Sequence, residues 1–206
     1  MESRSWLMVI LVAVMLVSLC SCGRPEYLSV DELKRFIMDV DNGLVKTIAS
    51  GSFEMKVMYR PTDLMVLQQV GDASAQAASE KIQMAREKFG AYYYFVVRFS
   101  ESGHDVLDPG ARGLNGFSDL MQTVSFRMAE YVSLSTPKDT IAVADYVYDR
   151  AYGMGQGTEV LFVFDKSKTA GQEWIDLNVN EFGLGTGKQT VRFNVQDLEA
   201  APKIFR

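Results

Sequence analysis

Residues 92–100 have the sequence YYYFVVRFS and carry a single charge, that of Arg98. Aromatic and β-branched side chains pack well on a pleated sheet, and a nearly uninterrupted apolar run is typical of a strand covered on both faces. The stretch is therefore predicted to be a central strand. Its aromatic side chains are predicted to belong to the hydrophobic core rather than to a ligand-binding surface.

Other strands are predicted on both sides of this one. Residues 44–49 indicate a weak strand or a turn, and alternating apolar and polar side chains in 53–59 indicate a strand with one buried face. Residues 120–134 fit a helix nearly as well as a strand. A strand is favoured because it would form a hairpin across the turn at 135–139. The remaining predicted strands are 140–152, 158–165, 173–179 and 189–195.

Three helices are predicted before residue 90. The capping-box sequence at 29–32 starts the first helix, which Asn42 and Gly43 end. The second covers about 62–69 with its threonine as N-cap, and the third covers about 73–89. Residues 101–116 contain four glycines and a proline, so they are predicted to form a loop.

The order of these elements predicts the class of fold. Helices are concentrated before residue 90 and strands after it, and short turns rather than helical crossovers connect the strands. This segregation predicts an α+β fold in which N-terminal helices pack on a mainly antiparallel sheet or sandwich of about seven strands. Residues 29–206 are expected to form a single domain, since their number suffices for one well-packed core.

The composition limits the class of function. The formal net charge is −5 and no basic block is present to contact a phosphate backbone, so nucleic acid is not an expected partner. The chain has one histidine and two cysteines, Cys20 and Cys22, both before the predicted domain. A zinc site needs more Cys or His ligands than this, and a domain without cysteine has no disulfide. No cofactor and no metal are therefore expected.

The N-terminal segment predicts export. Arg4 precedes an apolar run, residues 6–19, which is shorter than a bilayer span and is followed by small residues and cysteines. The sequence Leu19-Cys20-Ser21-Cys22 resembles the lipobox of bacterial lipoproteins, in which a peptidase cleaves before a cysteine that carries a diacylglycerol. The resemblance implies a signal peptide at 1–21, a lipidated Cys22 and a short tether at 22–28.

Two alternatives remain open for this segment. Cleavage before Cys20 would place Leu19 where the lipobox has Gly, Ala or Ser, whereas cleavage before Cys22 places Ser21 there, so Cys22 is favoured. The segment could also remain as an uncleaved anchor helix, although ~14 apolar residues fall short of the ~20 that span a bilayer. Gly23 stands where an Asp would resemble an inner-membrane retention signal. The resemblance therefore favours the outer membrane and leaves the leaflet open.

His104 is the single histidine and the first candidate for a catalytic role. Glu101, Ser102, Asp105 and Asp108 lie close to it in sequence. A serine hydrolase needs a convergent triad and an oxyanion hole, and the chain contains no Gly-Xaa-Ser-Xaa-Gly motif. We therefore expect an exposed loop histidine and no catalytic residue.

The run Gly183-Leu-Gly-Thr-Gly-Lys188 invites comparison with a phosphate-binding P-loop. Phe182 stands where that motif requires its first glycine, and Gln189 stands where it requires Ser or Thr. A glycine-rich turn is the expected structure here and at residues 153–157. The acidic residues match no calcium-loop spacing and are expected on solvated strand faces, or in an ion pair at Asp149-Arg150; the candidates are Asp105, Asp108, Asp145, Asp149 and Asp165.

These features together predict a non-enzymatic, lipid-anchored accessory or interaction module of the bacterial envelope. Its expected partners are the membrane, through the N-terminal lipid, and an envelope protein. Asn42-Gly43-Leu44 followed by Tyr59-Arg60-Pro61 also looks like a group of small envelope lipoproteins without an assigned activity. A second hypothesis is that the protein binds an apolar or glycan ligand, as suggested by Tyr92, Tyr93, Tyr94, Phe95 and Trp174. A third hypothesis is an envelope hydrolase.

Overall fold

The computed structural model describes residues 24–71, 75–148 and 157–205. The α-helices in these ranges are α1 (Val30–Met38), α2 (Thr62–Val70), α3 (Ala75–Gly90), α4 (Pro109–Phe126), α5 (Met128–Tyr131) and α6 (Val195–Glu199). Short 3₁₀ helices cover Val40–Asn42 and Ser167–Thr169. The strands are β1 (Val45–Ser50), β2 (Phe53–Tyr59), β3 (Tyr92–Glu101), β4 (His104–Asp105), β5 (Val132–Ser135), β6 (Thr140–Ala142), β7 (Asp145–Tyr148), β8 (Thr158–Asp165), β9 (Trp174–Val179) and β10 (Gln189–Asn194).

The strands form two antiparallel sheets, so the fold is α+β. The first sheet has the order β1-β2-β3-β8-β7, with β4 paired to β3, and the second has the order β10-β9-β5-β6. Strand β3 lies between β2 and β8, and Phe95 is opposite Tyr59 on one side and Phe162 on the other. The prediction that residues 92–100 form a central strand is confirmed.

The hydrophobic core lies between the two sheets. Successive residues of a strand face opposite sides, so alternate side chains of β3 point towards the second sheet. The ring centroid of Phe95 lies 5.0 Å from that of Phe193 on β10, and the centroid of Phe99 lies 5.2 Å from that of Phe182. The first three of these rings are fully buried. Large buried rings contribute much of the apolar area that folding removes from water, so β3 supplies a large part of the hydrophobic core.

The other face of β3 is partly covered by helix α3. Tyr94 is buried there, and its ring centroid lies 6.1 Å from that of Phe89. Next to this contact, an apolar row crosses four neighbouring strands through directly opposed residues, which are Met58, Val96, Leu161 and Val147. The solvent side of the first sheet therefore carries apolar side chains as well as charged ones.

Helix α1 begins as predicted. The side chain of Ser29 accepts a hydrogen bond from the Glu32 N–H, and the Glu32 carboxylate accepts one from the Ser29 N–H at 2.9 Å. Leu33 and Ile37 are buried. Helix α2 begins differently, because Pro61 is its N-cap residue and no side chain caps the helix. The predicted threonine cap is wrong, and the predicted start of the third helix at about residue 73 lies outside the described residues.

The arrangement of helices and the number of strands differ from the prediction. One described helix precedes β1, whereas α4, α5 and α6 follow β3. The described ranges contain ten strands rather than about seven. One reason is that the predicted strand at 140–152 is divided: β6 pairs within the second sheet and β7 within the first. The chain thus passes from one sheet to the other between residues 142 and 145.

The connection between β4 and β6 differs most from the structure predicted from the sequence. The predicted loop is wrong, because it contains β4 and the start of helix α4, which is kinked at Gly113 with φ of +67°. Leu120 and Val124 are buried, four residues apart on one face of α4, and Met128 is buried at the start of α5. The helical alternative for residues 120–131 is correct, and the favoured strand is confined to β5. The predicted hairpin between β5 and β6 is confirmed.

Residues 24–28, for which the sequence predicts a tether, lie against the domain. Arg24 Nη2 donates a hydrogen bond to Asp197 Oδ1 at 2.7 Å. The Leu28 N–H donates to the Lys203 carbonyl at 2.9 Å, and the Lys203 N–H donates to the Glu26 carbonyl at 2.9 Å. The first described residues are therefore paired with the last segment of the chain.

Candidate functional site

A cleft of about 250 Å³ opens at one end of the first sheet. Strand β2 ends there, and the walls come from helix α2, the turn after β8, helix α6 and the C-terminal segment. The polar and charged residues that line the cleft are Tyr59, Thr62, Asp63, Arg86, Lys166, Glu199 and Lys203. They come from distant parts of the sequence, so the cleft exists only in the folded chain.

The Asp63 carboxylate forms one wall of the cleft. Arg86 Nε and Nη2 donate to its two oxygens at 2.8 and 2.7 Å, and the Ile204 and Phe205 N–H groups donate to Oδ2 at 2.7 and 3.2 Å. Arg86 Nη2 also donates to the Phe205 carbonyl at 2.5 Å. The pair therefore joins α2, α3 and the C-terminal segment at one point.

The electrostatics of this pair follow from its surroundings. Asp63 is 4% exposed, and burial alone would raise the pKa of its carboxyl. The hydrogen bonds from Arg86 and from the Ile204 and Phe205 amides outweigh burial, so the pKa of Asp63 is lowered. Asp63 is ionised at neutral pH and its oxygens are already engaged. These contacts are typical of a structural ion pair rather than of a general base.

Lys166 lies on the opposite side of the cleft. Its Nζ is 4.7 Å from the centroid of the Tyr93 ring, and burial lowers the pKa of its ammonium group, although nearby Glu199 acts in the raising direction. Burial also raises the pKa of the Tyr59 phenol, which is therefore neutral at physiological pH. Lys166 and exposed Lys203 bring two ammonium groups to the cleft, which also contains the carboxylate of Glu199.

The arrangement fits binding better than bond-breaking chemistry. Ammonium groups and a carboxylate offer hydrogen bonds to a small polar ligand, such as a sugar. Within residues 24–71, 75–148 and 157–205, no group of three or more His, Cys, Asp or Glu side chains is placed to hold a metal ion. The prediction of no cofactor remains a prediction.

The glycine-rich run forms the predicted turn, with a feature the sequence did not suggest. The carboxylate of Glu181 accepts hydrogen bonds from four backbone N–H groups at 2.6–2.8 Å, those of Gly183, Leu184, Gly185 and Gly187. Such an array of amides is an anion site of the kind that binds phosphate in other proteins. Here the chain's own carboxylate fills it, which fixes the loop between β9 and β10.

His104 is exposed and far from the cleft. It lies on the two-residue strand β4, opposite Glu101, at the other end of β3. Asp105 accepts hydrogen bonds from the Thr158 hydroxyl and, at 2.9 Å, from the Leu107 N–H. The loop histidine predicted from the sequence is thus an exposed residue of a short hairpin.

The structure does not bring the candidate carboxylates together as one site. Asp145 is exposed on β7, where it accepts a hydrogen bond from the Tyr146 N–H at 2.8 Å. Asp165 ends β8, and hydrogen bonds from Ser167 lower its pKa. Asp108 is exposed after β4, and Asp149 with its predicted ion pair lies outside the described residues.

The aromatic residues suggested as a ligand surface are mainly occupied by protein contacts. Tyr93, Tyr94 and Phe95 are 0–5% exposed. Trp174 is partly exposed, but the Arg192 guanidinium lies 3.6 Å from its ring centroid and covers one face. These rings therefore serve the core or an internal cation–π contact.

The candidate lipidation site, Cys22, lies outside the described residues, as does the alternative Cys20. None of the helices in the described ranges combines the length and apolarity that a membrane-spanning helix needs. Lipidation at Cys22 stays a prediction from the sequence.

Sequence reasoning missed the cleft entirely. Asp63 and Arg86 lie within the second and third predicted helices, and the sequence predicts a role for neither. One signal was present. A carboxylate in the first turn of an otherwise apolar helix needs a hydrogen-bonding or charged partner if it becomes buried when that helix packs. The sequence does not indicate that the partner lies 23 residues later.

Comparisons with known proteins add little. No protein-family model matches the chain, and no curated protein matches it. Among solved structures, the chain is similar to the crystal structure of a DUF4426 family protein from Pseudomonas aeruginosa PAO1, with 12% sequence identity and a TM-score of 0.37. The match covers 73% of this chain and 92% of that chain. A similarity this low does not bear on function.

Proposed function

We propose that the protein is a lipid-anchored component of the bacterial cell envelope that acts as a non-enzymatic accessory or interaction module. The observation that carries the proposal is the sequence Leu19-Cys20-Ser21-Cys22, which follows an apolar segment of signal-peptide length. Cys22 is the proposed acylated residue, and Gly23 after it favours the outer membrane. The leaflet is left open.

The non-enzymatic part of the proposal is supported by the polar groups of the described residues. His104 is exposed at a hairpin, and Asp63 is engaged by Arg86 and by backbone amides. Glu181 is engaged by four backbone N–H groups. The carboxylates with the most hydrogen bonds thus stabilise the fold, which favours a binding role over a hydrolase.

Metabolic labelling with a clickable fatty acid tests the anchor. We expect label on the wild-type protein and on Cys20→Ala, and no label on Cys22→Ala. Label that persists in Cys22→Ala and disappears in Cys20→Ala would assign the lipid to the other cysteine. An unlabelled wild-type protein would contradict the lipoprotein proposal.

Affinity purification from crosslinked envelopes tests the interaction role. We expect tagged wild-type protein to retain one protein partner in stoichiometric amount, and Cys22→Ala to lose it because the variant is no longer at the membrane. If neither sample retains a partner, the interaction role is wrong.

The cleft supports the second candidate function, a binder of a small ligand. Its volume of about 250 Å³ is near the lower limit for ligand sites, and the charged groups of Lys166, Glu199 and Lys203 suit the hydroxyl groups of a glycan better than an apolar molecule. Screening envelope glycans against the purified protein by thermal shift tests this. Stabilisation of the wild type that is lost in Lys166→Met would favour ligand binding, with Lys168→Met as the matched control on the exposed turn.

A further inference from the structure

Very little chain separates Cys22 from the folded domain. Arg24 is the first described residue, and an extended residue spans at most about 3.6 Å, so Cys22 lies within about 7 Å of the Arg24 backbone. A flexible linker of many residues would let a domain rotate freely above its anchor. A linker of one residue, Gly23, does not allow that freedom.

The position of Arg24 on the domain is fixed by several contacts. Its guanidinium donates to Asp197 Oδ1 at 2.7 Å, to the Asp197 carbonyl at 3.3 Å and to the Asn42 carbonyl at 3.2 Å. The side chains of Arg24 and Asp197 are 30% and 31% exposed, so the ion pair is partly shielded from water. The backbone pairing of Leu28 with Lys203 holds the following residues. The exit point of the chain is therefore a defined place on the surface.

That place lies at one end of the first sheet, which we call the Arg24 end. Strand β1 begins there shortly after Asn42, and Val45 is opposite Met58 near the end of β2. The turns at residues 51–52 and 102–103 lie at the opposite end. Strand β3 has ten residues, so about 30 Å separate the two ends.

The surface around the exit point carries exposed apolar side chains beside charged ones. In the described part of the chain, six large hydrophobic side chains are exposed, and two of them, Tyr27 and Val40, lie within three residues of Arg24 or of its partner Asn42. Val40 is 67% exposed in the turn that ends at Asn42. Met38 is 49% exposed and shares a shallow depression on the face of the first sheet with Met58 and Val96 and with charged Lys56, Arg98 and Glu159. Exposed apolar residues gathered at one place mark an interaction surface.

The charges nearby indicate which bilayer surface fits. Asp39 and Asp41 lie on either side of Val40 and are exposed. Carboxylates there would be repelled by anionic lipids, so the surface suits zwitterionic headgroups that are held close by the lipid anchor. Attraction to anionic lipid is not required, since the anchor supplies the binding.

We propose that the Arg24 end rests on the bilayer surface, with Met38 and Val40 at the level of the lipid headgroups. The opposite end, with His104 and the turn at 51–52, then points away from the membrane and is the end that a protein partner meets. This orientation rests on the proposed lipid at Cys22.

Depth-dependent fluorescence quenching tests the orientation. Full-length lipidated protein, with an environment-sensitive fluorophore on Val40→Cys or His104→Cys, is reconstituted into phosphatidylethanolamine and phosphatidylcholine vesicles that contain brominated lipid. Both positions are exposed, and an acylated Cys22 leaves the introduced cysteine as the single free thiol. We expect severalfold stronger quenching at residue 40 than at residue 104.

Flotation of the same samples separates this inference from the proposed function. If the protein floats with the vesicles and both positions are quenched equally, or residue 40 is not quenched, the orientation is wrong while the anchor stands. If wild-type protein behaves like Cys22→Ala and does not float, the proposed lipid anchor itself is wrong.

A variant with a longer tether tests whether the short tether holds the domain in this orientation. Insertion of a Gly-Ser linker of about 16 residues between Gly23 and Arg24 gives a mean span of roughly 20–24 Å. We expect this variant to float as well as the wild type, with quenching at residue 40 reduced severalfold. Undiminished quenching would show that the short tether does not hold the domain in place.

Discussion

Arg86 and Asp63 form a two-pronged ion pair, with Nε and Nη2 of the arginine 2.8 and 2.7 Å from the two carboxylate oxygens. The same carboxylate accepts hydrogen bonds from the amides of Ile204 and Phe205. Two helices and the C-terminal segment therefore depend on one acidic side chain. Three of the predictions below concern engaged carboxylates of this kind.

Asp63→Asn should lower the free energy of unfolding by about 3 kcal/mol. The substitution leaves Arg86 without its counter-charge in a partly buried position, and loss of one member of a buried pair is more costly than loss of an exposed pair. Urea denaturation followed by circular dichroism measures the change. Glu130→Gln is the matched control, since its pair with Arg127 is more than half exposed. The control should not change the midpoint measurably; equal effects of the two variants would contradict the structural role of Asp63.

The same carboxylate should make stability depend on pH in the acid range. The pKa of Asp63 is lowered in the folded state, so its carboxylate stabilises the protein above the unfolded-state value of about 4. That contribution is lost as the pH falls through the folded-state pKa. We expect the urea midpoint of the wild type to fall below about pH 4, and Asp63→Asn to show a shallower fall. Parallel pH profiles of the two proteins would contradict this.

Phe95→Ala should be far more damaging than Phe126→Ala. Phe95 is fully buried between the two sheets, and its removal leaves a cavity that costs about 3–5 kcal/mol. Phe126 is 72% exposed at the end of α4, so the same substitution there should change stability by less than about 0.5 kcal/mol. Denaturant midpoints of the two variants measure the difference. Similar midpoints would place Phe95 outside the core.

Gly43→Ala should destabilise the protein more than Gly51→Ala. Both glycines have positive φ, +75° and +60°, so each alanine costs about 1–2 kcal/mol of backbone strain. A Cβ at residue 43 would also lie 2.6 Å from Asp197 Oδ2, whereas a Cβ at residue 51 meets nothing within 4 Å. The extra cost at Gly43 should be about 1 kcal/mol.

A double mutant identifies the source of that extra cost. In an Asp197→Ala background, Gly43→Ala should cost no more than Gly51→Ala, because the close contact is gone. Thermal denaturation of the wild type, Gly51→Ala, Asp197→Ala and the Gly43→Ala/Asp197→Ala double mutant provides the comparison. An undiminished cost in that background would show that the strain at residue 43 arises from the backbone alone.

Glu181→Gln should loosen the glycine-rich turn without affecting the sheets. Burial raises the pKa of Glu181, but four backbone donors outweigh it and lower the pKa, so the ionised form holds the turn. The side chain is exposed, so the loss should be only about 1 kcal/mol. Hydrogen exchange of the Gly183, Gly185 and Gly187 amides should become roughly fivefold faster. Glu54→Gln, an exposed carboxylate on β2, should leave these rates unchanged.

Local patterns in the sequence predicted local structure well. The apolar run at 92–100, the alternation at 53–59 and the capping box at 29–32 each identify an element that the structure contains, because each depends on neighbours in the chain. The hairpin at 135–139 is also local. What these signals share is that no distant partner is needed to interpret them.

Non-local features were not predictable in the same way. The division of the strands between two sheets depends on which faces pack, and strands β6 and β7 are too short for their pattern to show a change of sheet. Helix α4 was missed because glycines and a proline lower helix propensity, whereas burial of Leu120 and Val124 stabilises the helix in the folded chain. The cleft was missed because its charged residues converge only after folding.

The pairing of β3 with β8 has a consequence for how the protein reaches its folded state. Phe99 is opposite Thr158, 59 positions later in the chain, so a polypeptide synthesised from its N-terminus presents β2 and β3 long before β8 follows. During that interval the most aromatic strand has an unpaired edge, which other chains can join. The rate of synthesis and chaperone capture, rather than final stability, would then set the yield of folded protein.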